Sequence, residues 1–231
     1  METKARRTLG IFVREPVPGQ VKTRLAAELG AERAAEIYSA FISDLADRFR
    51  GIGAERVLCY CPDSIESRRY FETVAGQDYR LWGQPNAGLE MRMQRFFEEH
   101  IRGVDDRAVI IGSDSPTLPG EYIVRAFAGL DGADCVIGPA ADGGFYLIGM
   151  RGRAWPVFTG VAWSTSCVLD QTVQRLRECG ACLAVLPVWY DVDTPDDWRF
   201  LVGHVRALAL AGSPVNLTAT RQCIGSKEEE L

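Results

Sequence analysis

Val109-Ile110-Ile111-Gly112-Ser113-Asp114-Ser115-Pro116-Thr117-Leu118 is the stretch from which the fold can be read. A short β-branched apolar run bounded by glycine and proline reads as a buried strand of a parallel sheet. It ends on an aspartate, and Pro116 cannot continue the ladder. In open α/β sheets ligands lie outside the carboxyl ends of the strands, so Asp114 is expected where a ligand would bind. A carboxylate flanked by two hydroxyls suits a hard cation with oxygen ligands, above all magnesium carrying substrate phosphates. An Asx turn would use the same aspartate, so the stretch gains meaning from what the other strand ends supply.

The 231 residues suffice for one large α/β domain, and a chain of this length buries roughly 70–75% of its unfolded surface. A hydrophobic content of 47% and a charged content of 25% are ordinary for a globular protein. The formal charge of −5 disfavours nucleic acid or an anionic membrane as the main partner, because both need a basic footprint. No apolar h-region follows Lys4, Arg6 and Arg7, and no apolar run is long enough to span a bilayer, so the cytoplasm is the expected location. Seven cysteines, an odd number scattered through apolar segments, argue for reduced, buried thiols rather than a disulfide framework. Cys179-Gly180-Ala181-Cys182 has redox or zinc spacing but lacks a second pair.

Working outward, Thr8–Val13 reads as the first strand and runs into Arg14-Glu15-Pro16-Val17-Pro18-Gly19-Gln20-Val21-Lys22-Thr23-Arg24-Leu25. Two prolines and a glycine force an irregular loop, and two cations follow where a helix begins, the usual place for a phosphate. Gly19 to Lys22 is too short for a Walker loop, and the absence of GxGxxG removes support for nicotinamide binding. Ala31–Arg50 reads as an amphipathic helix on Ile37, Phe41, Leu45 and Phe49. Further strands are expected at Arg56–Cys61, Tyr79–Trp82, Cys135–Pro139 and Cys182–Pro187, and helices at Ile65–Val74, Leu89–Arg102, Glu121–Leu130 and Ser166–Cys179. Asp142-Gly143-Gly144 enters an aromatic strand, where a glycine pair permits close approach of backbone to ligand, or a bulge. Before the last helix, Thr194, Pro195 and Asp197 form a capping arrangement, which leaves Asp191 and Asp193 as carboxylates without a structural duty. His100 and His204 fall in helices and are read as solvated or capping. Residues 1–211 are taken as one domain, followed by a tail over 212–231 that loses periodicity and frays at Lys227–Leu231.

Taken in order, Pro16-Val17-Pro18-Gly19-Gln20-Val21-Lys22-Thr23-Arg24-Leu25, Gly112-Ser113-Asp114-Ser115-Pro116, Asp142-Gly143-Gly144-Phe145-Tyr146-Leu147-Ile148-Gly149, Trp163-Ser164-Thr165 and Asp191-Val192-Asp193-Thr194-Pro195 resemble a GT-A-type, glycosyltransferase-like family of the nucleotide-diphospho-sugar transferase superfamily. That family is also similar to phospholactate guanylyltransferase and molybdenum-cofactor nucleotidyltransferases. The resemblance covers about residues 8–205. It implies an α/β, Rossmann-like, mostly parallel sheet flanked by helices, with nucleotide phosphates and Mg2+ (or Mn2+) at its carboxyl edge. It further implies Asp114, Asp191 and Asp193 as metal ligands and Asp114, Lys22 and Asp142 as catalytic residues. Nucleotide and phosphate binding falls to Arg14, Gly19, Lys22, Arg24, Gln84, Arg92 and Ser113, and substrate binding to Asp142, Gly143, Gly144, Trp163, Ser164 and Thr165. One segment departs from the pattern: the family's Gly-Asp-Leu-Gly-x-Arg-Met reads Ala87-Gly88-Leu89-Glu90-Met91-Arg92-Met93, which loses the acid and a glycine and keeps Arg92.

The expected activity is therefore a metal-dependent glycosyl transfer from a nucleotide sugar to a small-molecule acceptor. Two alternatives stand beside it. One is nucleotidyl transfer from a nucleoside triphosphate to a phosphorylated small molecule, favoured by the cationic loop and by Ser113-Asp114-Ser115 in place of Asp-x-Asp. The other is nucleotide binding without turnover. Neither nucleic acid nor a membrane is an expected partner, and a homodimer is compatible with this reading.

Overall fold

The computed structural model describes residues 5–225. Eight helices and seven strands follow one another from β1 (Arg7–Arg14), α1 (Thr23–Leu29) and α2 (Ala31–Phe49) to β2 (Glu55–Cys61), α3 (Ile65–Ala75) and β3 (Arg80–Gly83). Next come α4 (Leu89–His100), β4 (Arg107–Ile111), α5 (Gly120–Gly129), β5 (Cys135–Pro139) and β6 (Phe145–Arg151). The chain closes with α6 (Val168–Glu178), β7 (Leu183–Val185), α7 (Pro195–Leu210) and α8 (Thr218–Gly225).

All seven strands lie in one sheet of order β3-β2-β1-β4-β6-β5-β7. β1 pairs in parallel with both β2 and β4, β2 with β3, and β5 with β7, whereas β6 runs antiparallel between β4 and β5. The fold class is thus the expected α/β, Rossmann-like, mostly parallel sheet. Because β1 is flanked by β2 on one side and β4 on the other, the chain winds away from it in both directions. That reversal opens a crevice at the carboxyl ends of β1 and β4.

The period-2 alternation of the strands feeds one core on each face of the sheet. Leu9, Ile11 and Val13 of β1, with Val109 and Ile111 of β4, pack against Phe41, Leu45 and Phe49 of α2 and Ile123 and Phe127 of α5. Ala108 and Ile110 turn to the opposite face and meet Met93, Phe96 and Phe97 of α4 and Leu176 of α6. Gly10 of β1 is required there, since a Cβ would lie 2.5 Å from the Phe96 ring.

Two details differ from the sequence reading. Beyond Gly212, Thr218–Gly225 forms α8, whose start is held by Asp44 of α2: its carboxylate accepts from the Ala219 N–H at 2.9 Å and the Thr220 N–H at 2.8 Å. Leu217 is buried beside it, so a single buried leucine and a buried aspartate dock a segment too short to show a period. The expected fraying at Lys227–Leu231 lies outside the described residues, as does Lys4. Cys59, Cys61 and Cys135 are buried as expected, but Cys167 and Cys182 are exposed.

Candidate active site

A cavity of about 590 Å³ opens at the carboxyl ends of β1 and β4. Its wall includes Arg14, Lys22, Arg24, Gln84, Arg92, Ser113, Asp114 and Asp193. Local sequence explains how each arrives there. β1 ends at Arg14, and the Pro-Gly loop turns at Gly19, whose φ is +76°, and again at Lys22, left-handed at φ 47°. Lys22 then serves as the residue before α1, and the turn sends its side chain inward. β4 ends at Ile111, so Ser113 and Asp114 follow at the crevice. The third segment is positioned by backbone pairing, because the Val192 N–H donates to the Asp114 carbonyl at 2.9 Å.

The Lys22 ammonium lies at the centre. Its Nζ donates to Asp114 Oδ1, to the Val192 carbonyl at 2.8 Å and to Asp193 Oδ1 at 2.8 Å. The side chain is only 3% exposed, with the Tyr38 and Phe41 rings 5.5 and 5.9 Å from the charge. Burial alone would lower the lysine pKa; the two carboxylates outweigh it and hold the group above its ordinary value. Burial would likewise raise Asp193, but Lys22 and Arg24 keep its pKa below the ordinary value. Arg24 Nη2 donates to Asp193 Oδ2 at 2.6 Å from an exposed position.

Asp191 stands apart from this cluster, its carboxylate accepting from Ser115 Oγ. Burial, and next the Asp114 charge, push its pKa up to about 7. Among the described residues no group of three or more histidine, cysteine, aspartate or glutamate side chains is arranged to hold a metal ion. Asp114 and Asp193 nevertheless aim an oxygen each at one point, and a carboxylate pair is a donor set that suits magnesium carrying phosphates. In geometry and donor type those two residues fit such an ion, at the point where the Lys22 ammonium sits.

The expected substrate residues are placed around the cavity rather than in its wall. Asp142 Oδ1 accepts from the Gly144 N–H at 2.9 Å, which closes its own turn. Gly143 has φ +94°, and a Cβ there would meet the Ser166 carbonyl at 2.3 Å, so its conformation and the close approach of the chain before α6 both demand glycine. Thr165 Oγ1 donates to the Ala162 carbonyl at 2.7 Å, Ser164 is left-handed at φ 63°, and Trp163 Nε1 donates to Glu90 Oε2 at 3.3 Å. That last contact joins the loop before α6 to the start of α4, beside the cavity-lining Leu89 and Arg92.

A family of bacterial proteins, described as "Uncharacterized protein conserved in bacteria (DUF2064)", matches residues 45–165, just over half of the chain. A solved protein from Desulfovibrio desulfuricans G20, provisionally described as a nucleotide-diphospho-sugar transferase, is 30% identical with a TM-score of 0.87, over 97% of this chain and 96% of that one. The chain belongs to the DUF2064 family. This DUF2064 chain also shares its fold with CMP:2-keto-3-deoxy-manno-octonic acid synthetase complexed with CTP, at 12% identity and a TM-score of 0.54 over 90% and 100% of the two chains. 4-Diphosphocytidyl-2C-methyl-D-erythritol synthase is similar to the same degree, at 12% and 0.54 over 86% and 98%. No curated protein sequence matches the chain.

Sequence reasoning misses several residues of this DUF2064 site. Tyr38 lies on α2 next to Ile37 of the apolar stripe and carries no site signal in the sequence. Its hydroxyl accepts from the Arg14 N–H at 3.1 Å and pairs with Ser113 Oγ at 2.7 Å, tying the ends of β1 and β4 together beneath the cavity. Burial, and next Asp114, push its pKa up to about 12, so it remains a neutral phenol. Phe12, Met93 and Phe145 supply an apolar part of the wall. Gln84, by contrast, is among the residues expected from the sequence; it is 3% exposed, with its amide nitrogen donating to the Val13 and Cys59 carbonyls. Two acceptors fix the orientation of that amide.

Proposed function

We propose that this DUF2064 chain is a metal-dependent nucleotide-diphospho-sugar transferase of the cytoplasm that moves a sugar from a nucleotide sugar to a small acceptor. The observation that carries the reading is the cavity at the β1–β4 crevice, where Arg14, Lys22, Arg24 and Arg92 share one wall with Asp114 and Asp193. The size suits a nucleotide sugar, since small-molecule sites run from about 300 to 1,000 Å³.

In glycosyl transfer the bond from the sugar carbon to the diphosphate breaks, and its electron pair stays on the phosphate oxygen. The acceptor oxygen forms the new bond and gives up its proton. Negative charge therefore builds on the diphosphate, and preorganised cations beside it stabilise the transition state. Arg24 and Arg14, exposed at the mouth, are the groups able to turn to those oxygens. Arg92 is anchored by Nε on the Ala87 carbonyl at 2.6 Å and lines the cavity from α4. What a divalent cation supplies at Asp114 and Asp193, when bound, is neutralisation of the departing diphosphate. The apolar wall of Phe12, Met93 and Phe145 is suited to the flat face of a base.

Nucleotidyl transfer is the second reading, favoured by Ser113-Asp114-Ser115: its hydroxyls pair with Tyr38 and Asp191, leaving one carboxylate where a sugar transferase commonly uses two. Thermal shift against paired ligands tests the choice. A nucleotide sugar is expected to stabilise the protein more than its parent nucleoside diphosphate, each extra tenfold in affinity adding about 1.4 kcal/mol. Glycosyl transfer would be overturned if no nucleotide sugar outperforms its diphosphate, or if radiolabelled α-phosphate passes from a triphosphate to an acceptor.

A further inference from the structure

Lys22 has three N–H donors and all three are spent inside the protein, on Asp114, Asp193 and the Val192 carbonyl. None is left for a phosphate while that arrangement holds. The ammonium also occupies the one point on which the two carboxylates converge. A divalent cation bound by the same oxygens would lie about 2.0–2.1 Å from them. It would thus sit where Nζ sits, within 2.8 Å of Asp193.

We propose that Lys22 is the resident cation of the Asp114–Asp193 pair, and that it changes places with the divalent cation when the phosphates of the nucleotide arrive. This rests on the reading of those two aspartates as the metal ligands. The side chain is 3% exposed, and its ammonium faces the Tyr38 and Phe41 rings. An ammonium displaced from there needs new acceptors, because an unpaired charge in such surroundings is costly. Phosphate oxygens at the cavity mouth supply them. The divalent cation then takes the carboxylates, and Lys22 takes the phosphate. Each ligand thereby removes the obstacle to the other, so cation and polyphosphate bind with positive, reciprocal coupling. A lysine is suited to the exchange, being a compact charge on a flexible four-carbon stem. Arg24 holds only the outer Asp193 oxygen, from a side chain 66% exposed, and does not block the point of convergence.

Mn2+ binding, read from the electron paramagnetic resonance of the free ion, tests the exchange without turnover. Lys22→Met is expected to bind Mn2+ alone on the order of tenfold more tightly than the wild type, since a like charge no longer competes for the carboxylates. Arg24→Gln is expected to gain less than threefold. Equal Mn2+ affinity in wild type and Lys22→Met would overturn the proposal, and so would an equal gain in Arg24→Gln, which would reflect net charge alone. The wild-type protein decides the matter if Lys22→Met does not fold. Inorganic pyrophosphate should then bind at least tenfold more tightly with saturating Mn2+ than without it. Binding of both ligands without coupling would overturn the exchange and leave the aspartate metal site standing. No Mn2+ binding under any condition would remove the metal site itself, and the exchange with it.

Discussion

Replacing Asp114 or Asp193 by asparagine keeps the side chain's shape and removes one negative charge from the point that Lys22 occupies. Either change is expected to lower turnover on the order of 10²–10³-fold, as loss of another preorganised electrostatic group does. Asp197→Asn is the contrasting case. Its carboxylate completes the capping box of α7, accepting from the Thr194 N–H at 2.7 Å. The expected cost is about 1 kcal/mol of stability, read by urea unfolding, with turnover reduced far less than by Asp114→Asn. Equal turnover losses at Asp197 and Asp114 would show that the cluster works only as scaffold. The capping box is legible in the sequence because its partners lie three residues apart. The same carboxylate, however, also accepts from the Asp193 N–H at 3.0 Å, so Asp193 is not as independent of the cap as its position suggests. Nor can sequence show that Lys22 faces two carboxylates, since Asp193 lies 171 residues away.

At the scale of elements, strand and helix periods place nearly every boundary within a residue or two, because the apolar alternation is regular where apolar side chains are buried on both faces of the sheet. Direction is not encoded that way: β6 has the composition of its neighbours and still runs against them. The segment joining α4 to β4 carries a device with a pH signature. Asp106 accepts from the backbone N–H groups of Arg6, Arg102 and Gly103 at 3.0, 3.0 and 2.9 Å, and from the Arg6 guanidinium at 3.0 Å. Burial would raise its pKa, but these donors outweigh it and bring the value down to about 2 from 3.8. A depressed carboxylate contributes its stability in full above the unfolded value, and loses it as pH falls through the folded one. The contribution is thus present above about pH 4 and gone near pH 2. Asp106→Asn should be less stable than wild type at pH 6, by on the order of 2 kcal/mol. The two should converge as the pH falls toward 2. Parallel stability curves across that range would mean that the carboxylate's charge plays no part.

On the scale of the whole molecule, the reversal of strand order beside β1 puts three distant loops at one crevice, and this much follows from a β-rich run ending in an acidic turn. The cavity's composition does not. Trp163 is spent on Glu90 of α4, Thr165 on the loop before α6 and Asp142 on its own turn, whereas Tyr38 emerges from the same helix as the α2 stripe that reads as core. Among the described residues no helix is long and apolar enough to cross a membrane. What unites the site is charge: cations and carboxylates from opposite ends of the chain meet at one mouth, in a protein of net charge −5.

The proposed function requires this mouth to recognise phosphates. Calorimetric titration of a nucleoside and its mono-, di- and triphosphate into wild type and Arg24→Gln addresses it most directly. The loss in affinity is expected to grow with each added phosphate and to vanish for the nucleoside, because each further charge strengthens the attraction that has been removed. Equal losses for nucleoside and triphosphate would contradict the account and reduce Arg24 to a prop for Asp193.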